Sequence, residues 1–115
     1  MAVTAQASGT QAATVTTEHT LASVNVAGVF TLHVDTVNMS TLDVLELRVY
    51  QMVLTAGVSR VVSIWTFFGV QLTDDLIKIT VPIGNELTDT DALKFTLKQT
   101  FGTGRSFPWK VLKYA

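Results

Sequence analysis

Cysteine is missing from this chain, and its absence removes disulfides, thiolate nucleophiles and cysteine-type structural zinc together. Charge is scarce as well. Asp, Glu, Lys and Arg make up 15% of the 115 residues, well under the usual quarter. Either Thr and Ser solvate the surface, or part of the outside is covered by copies of the chain or by a partner. A formal net charge of −1 gives no electrostatic footprint for nucleic acid or an anionic membrane. Long apolar runs are lacking too, and none approaches the ~18 residues of a bilayer-spanning segment. The opening "MAVTAQASGTQAATVTT" has neither the basic n-region nor the continuous apolar h-region of a secretory signal. These absences predict a soluble chain that uses neither membrane nor nucleic acid, of a size for one domain with a real core.

What is present favours strands. Val and Thr together supply about three residues in ten. Residues 1–17 are small and polar, without a large side chain to anchor them, and are expected to form a flexible N-terminal arm, frayed or ordered only against a neighbour. Residues 18–115 are expected to form a single β-sandwich domain. In "VFTLHVD", Phe30, Leu32 and Val34 share one face and Thr31, His33 and Asp35 the other. "DVLELRVYQMVL" sets Leu45, Leu47 and Val49 opposite Glu46, Arg48 and Tyr50, then blurs beyond Gln51, as at a bulge. "SRVVSIWTFFG" is apolar on both faces, with Val61, Trp65 and Phe67 against Val62, Ile64 and Phe68, which predicts a strand covered on both sides. "DLIKITVP" alternates Leu76, Lys78 and Thr80 with Ile77, Ile79 and Val81, and Pro82 ends the pairing. "DALKFTLKQTF" turns Leu93, Phe95 and Leu97 inward, and "FPWKVLKY" closes the set. Turn signals between these runs, without room for crossover helices, predict an all-β antiparallel sandwich of about six to eight strands.

The stretch GTGRS at 102–106 invites a phosphate-loop reading, but it has one residue between its glycines, no Lys and a strand on each side. It reads as a hairpin connection whose glycines take positive φ. Arg105 at its tip is either a solvated charge or a group that reaches a partner's carboxylate or an aromatic ring. His19 and His33 are not at ligand spacing, and Glu86, Asp89 and Asp91 lack the order of a calcium loop, so no metal or cofactor is expected. Glu46 and Arg48 read as a surface pair. No serine stands in a nucleophile elbow, and no catalytic reading survives. The aromatic residues carry more information. Trp65, Phe67 and Phe68, with Phe107, Trp109 and Tyr114, are either core or interface, and one small sandwich does not easily bury two apolar faces of one strand. With Tyr50 and Arg105 they form the set of candidate contact residues.

The segments "LDVLELRVYQMV", "DDLIKITVPI" and above all "LKQTFGTGRSFPWKVLKY" resemble those of small all-β virion proteins of tailed bacteriophages, most nearly the capsid decoration (cement) proteins. The resemblance covers about residues 19–115. It implies a jelly-roll-like sandwich, self-association with trimers favoured, and binding to the major capsid protein on the outside of an assembled head, after assembly in the host cytoplasm. It implies no enzyme activity. Two alternatives stand beside it: a tail-tube, connector or fibre subunit, and a carbohydrate-binding sandwich using Tyr50, Trp65 and Trp109 as a platform.

Overall fold

A computed structural model describes residues 2–114. Among them the chain forms nine strands and no helix: β1 (Val3–Ala12), β2 (Glu18–Val24), β3 (Gly28–Asp35), β4 (Val44–Gln51), β5 (Arg60–Phe68), β6 (Ile77–Ile79), β7 (Ile83–Asn85), β8 (Leu93–Phe101) and β9 (Ser106–Tyr114). They make two antiparallel sheets. One has the order β1-β9-β3-β6, with β7 also on β3; the other has the order β2-β8-β4-β5. The pairing follows a simple plan. β1 pairs with β9, β2 with β8, β3 with β6 and β7, and β4 with β5, as in one long folded ribbon. The ribbon is then rolled so that β9 also meets β3 and β8 also meets β4.

Period-two patterning explains the interior. Phe30, Leu32 and Val34 of β3 face Leu45, Leu47 and Val49 of β4 and Leu93, Phe95 and Leu97 of β8, and all are essentially sealed from solvent. Phe107 and Val111 of β9 complete this layer. Each such side chain contributes about 1.5–3 kcal/mol by leaving water. The sheets therefore behave as two half-buried plates with one shared core.

Residues 1–17 differ from the flexible arm expected of them. Val3–Ala12 is strand β1, in register with β9 from Val3 opposite Tyr114 to Ala12 opposite Ser106. Its side chains are mostly exposed, so backbone pairing holds it more than packing does. Small residues conceal such a strand in the sequence because period two needs large side chains to show. Met1 lies outside the described residues.

The GTGRS loop is not a hairpin turn. β8 and β9 belong to different sheets, and the loop carries the chain from one to the other. It is tied at both ends. Gln99, fully buried, donates through Nε2 to the carbonyls of Phe101 (3.1 Å) and Thr103 (2.7 Å) and accepts at Oε1 from the Arg105 N–H at 3.0 Å. Gly102 has φ +96°, and a Cβ there would collide with Asp43.

Candidate functional site

Asp43 is a buried and fully engaged carboxylate. It is 1% exposed and accepts hydrogen bonds from the Ser40 N–H (2.8 Å), the Thr103 N–H (3.2 Å) and Arg105 Nε (2.8 Å). Burial raises its pKa, but the Ser40 and Thr103 backbone donors and the Arg105 guanidinium outweigh that and hold the carboxyl below its ordinary value. The Thr103 and Arg105 N–H groups that a phosphate would need are already bound to Asp43 and Gln99. Arg105 is thus a latch on this loop. Its Nε is bound within the chain, where a partner-seeking charge was one reading of the sequence.

The other polar clusters are also internally satisfied. On the outer face of the β2-β8-β4-β5 sheet, Tyr50 Oη and Thr96 Oγ1 donate to Glu18 Oε2 at 2.6 and 2.7 Å, and Lys94 sits 4.5 Å above the Tyr50 ring. Burial raises the Glu18 pKa, yet those two hydroxyls and the charges of Arg48 and Lys94 bring it below the ordinary value. Arg48 bonds Glu46 at 2.5 Å, the surface pair expected from their spacing. Asp89 accepts from Thr55 Oγ1 and the Ala56 N–H, and Asp91 from Ser23 Oγ, which gives these carboxylates turn roles. On the other outer face, His33 Nε2 lies 2.8 Å from Thr31 Oγ1, which in turn is 3.1 Å from Tyr114 Oη. Burial and the neighbouring Lys110 charge lower the His33 pKa. A shallow groove of about 260 Å³ runs here, bordered by Ser8, His33, Asp35, Ile77, Pro108, Trp109 and Lys110. Among the described residues no group of three or more His, Asp or Glu side chains is placed to hold a metal.

The candidate aromatic residues separate. Phe107 is fully buried and belongs to the core, so it offers no contact surface. Trp65 and Phe67 point inward from β5 and pack half-buried against that core. Trp109 lies across Gly9 of β1, where the absent side chain leaves room for the indole. Tyr50 and Tyr114 are half-buried and hydrogen-bonded. Phe68 alone is open, at 71% exposure. Tyr50, Trp65 and Trp109 do not share one face: Trp65 and Trp109 pack half-buried against the core from the two sheets, and Tyr50 stands on an outer face, bonded to Glu18.

No family model matches this chain, nor does any curated protein or solved structure.

What distinguishes the surface is the flank formed by β5 and β6. The two strands end their respective sheets on the same side, where Lys78 Nζ of β6 lies 5.0 Å from the Phe67 ring of β5. β5 was expected to be covered on both faces. Instead a bulge at Val62, where Val49 opposes Ser63 and Tyr50 opposes Val61, turns Val61 outward as well. Val61, Val62, Ile64 and Phe68 are all open to solvent. β6 is inverted relative to ordinary patterning. Lys78 and Thr80 are buried, at 8% and 3%, while Ile77, Ile79 and Val81 stand 55–60% exposed. The inward Lys78 is accommodated by Asp75 at 2.9 Å, and Thr80 exchanges hydrogen bonds with the backbone of Leu32. Val53, Leu54, Val58, Val70 and Leu72 add further exposed apolar groups in the adjoining loops. The alternation of Ile77, Ile79 and Val81 was legible in the sequence; its outward direction was not.

Proposed function

We propose that this chain is a structural subunit that acts by lying against other subunits, as a decoration protein on the outside of a phage capsid. The observation that carries the reading is the β5–β6 flank, where a strand spends its isoleucines on the outside and its lysine on the inside. An exposed apolar surface of this extent on a chain with few charges marks a contact surface. The strand order supports the reading further. A ribbon pairing first strand with last, second with next to last, and rolled into sheets 1-9-3-6 and 2-8-4-5 supports reading the fold as a jelly roll, an architecture common in viral capsid domains. The sequence resemblance to virion proteins points the same way.

In this reading the chain has no reacting group. Its polar clusters serve to hold loops rigid, as Asp43 and Gln99 hold the 102–105 crossover, so that one contact patch is presented identically by every copy. Many modest contacts repeated over a shell then sum to firm attachment. Copies are expected to associate with one another and with the major capsid protein. The test is to mix purified protein with expanded heads that lack it. Saturable binding with a rise in the heads' thermal resistance is the expected result; neither binding nor added resistance would exclude the proposal.

A further inference from the structure

The four sheet edges are guarded unequally. β1 is lined by small residues and broken by a bulge between Ala5 and Ala7. β2 carries Glu18 and a bulge between Thr20 and Ala22. β6 and β7 are three residues each, with Pro82 between them. These are the usual devices that stop edge-to-edge pairing. β5 has nine residues, and its bulge at Val62 leaves Ser63–Phe68 as regular strand without proline or charge. Among the described residues, no loop backbone hydrogen-bonds to its outer edge; the Gln71 amide caps the Phe68 carbonyl at 3.1 Å and would be exchanged for a backbone donor on pairing.

We propose that β5 pairs antiparallel with β5 of a second copy, about a twofold axis at Thr66, joining two four-stranded sheets into one continuous eight-stranded sheet. The sequence is self-complementary in this register. Ile64 of one copy opposes Phe68 of the other, Trp65 opposes Phe67, and Thr66 opposes itself. Each is a favourable cross-strand class, aromatic with β-branched, aromatic with aromatic, and threonine with threonine. A shift of one residue would turn the apolar faces to opposite sides of the joined sheet. Moving the axis to Trp65 would bring the Val62 bulge into the ladder against Phe68. Charge is complementary as well. The antiparallel sense carries Arg60 of one copy toward the end of β5 from which the other continues to Asp74, and among the described residues neither is in an ion pair within its own chain. Pairing gives the outward backbone groups of Ile64 and Thr66 their partners, replaces the Gln71 amide at the Phe68 carbonyl, and covers Ile64 and Phe68 together.

This inference rests on the self-associating part of the proposed function but not on the capsid. Because the chain lacks cysteine, one substitution reads the register. Directly opposed residues have Cα atoms about 4.5–5.5 Å apart, within reach of a disulfide. Thr66→Cys should close to a covalent dimer under mild oxidation at least ~10-fold faster than Leu72→Cys, an exposed site that this register holds far from its own copy, since pairing holds the Thr66→Cys thiols at high effective concentration. The unmodified chain should have twice the monomer mass in native mass spectrometry. Ile64→Lys should return it to monomer with an unchanged circular dichroism spectrum. A monomeric or trimeric mass at high micromolar concentration, or equal oxidation rates for the two cysteine variants, overturns the pairing. A monomer that still binds heads leaves the capsid reading standing; a dimer that ignores heads leaves the pairing standing.

Discussion

The two flanks of this sandwich solve the problem of a sheet edge in opposite ways. On the β1–β2 flank, small polar residues leave little for a neighbour to grip, and Trp109 folds its indole over Gly9 to seal the border from within. On the β5–β6 flank, bulky apolar groups stand outward and a lysine is drawn in beneath them. Both flanks close the same core. Only one carries apolar surface beyond what folding of the lone chain uses, and that surplus is where the molecule is expected to work.

The contrast between core and flank gives the largest expected effect. Phe95→Ala removes a fully buried ring and should cost about 3–5 kcal/mol, read as a large drop in the urea midpoint. Phe68→Ala, on the open flank, should cost less than ~1 kcal/mol in the dissociated chain. Next comes the loop latch. Asp43→Asn keeps the shape but discards the charge that binds Arg105, and should cost about 2–3 kcal/mol. Because the folded state holds the Asp43 pKa below its unfolded value, its contribution is complete above the ordinary carboxylate range and fades as pH falls through the folded pKa. Acid titration of the two proteins should therefore show the difference between them shrinking toward low pH. A constant difference would mean that the carboxylate charge is not what the latch uses.

Lys78→Met tests the inverted strand more finely. It removes an ammonium that is held by one exposed partner, Asp75, and stands over the Phe67 ring, so stability should change by no more than ~1 kcal/mol, in either direction. A loss of several kcal/mol would make Lys78 a keystone of the flank. The smallest effect belongs to Ile77→Thr combined with Ile79→Thr. Stability by urea unfolding should move by less than ~0.5 kcal/mol per site, while light scattering should report weaker association or head binding. If binding is untouched, this outer face is not part of the contact.

The large strands were readable because their side chains announce them. Phe30, Leu32 and Val34, Leu45, Leu47 and Val49, and Leu93, Phe95 and Leu97 all occupy the inward positions that their alternation implied. β1 escaped notice because Ala, Ser, Gly and Thr carry no face, and β7 because it is only three residues long. The direction of β6 was beyond periodicity. Alternation says which residues travel together, and only the neighbouring Asp75 and Phe67 make the lysine side habitable inside. The same limit hid the partner of Arg105 and the burial of Phe107. Sequence marks a loop arginine and a strand aromatic, but Asp43 lies some sixty positions away, and nothing local foretells that the two will meet.

One consequence follows from the rolled ribbon. Val3 sits opposite Tyr114, so both described extremities of the polypeptide leave from a single corner, on the side away from β5. A short tether between them, with a cut in the exposed 53–58 loop, would yield a rewired chain that keeps every strand neighbour. The same corner offers a place to attach a passenger without obstructing the greasy side of the protein.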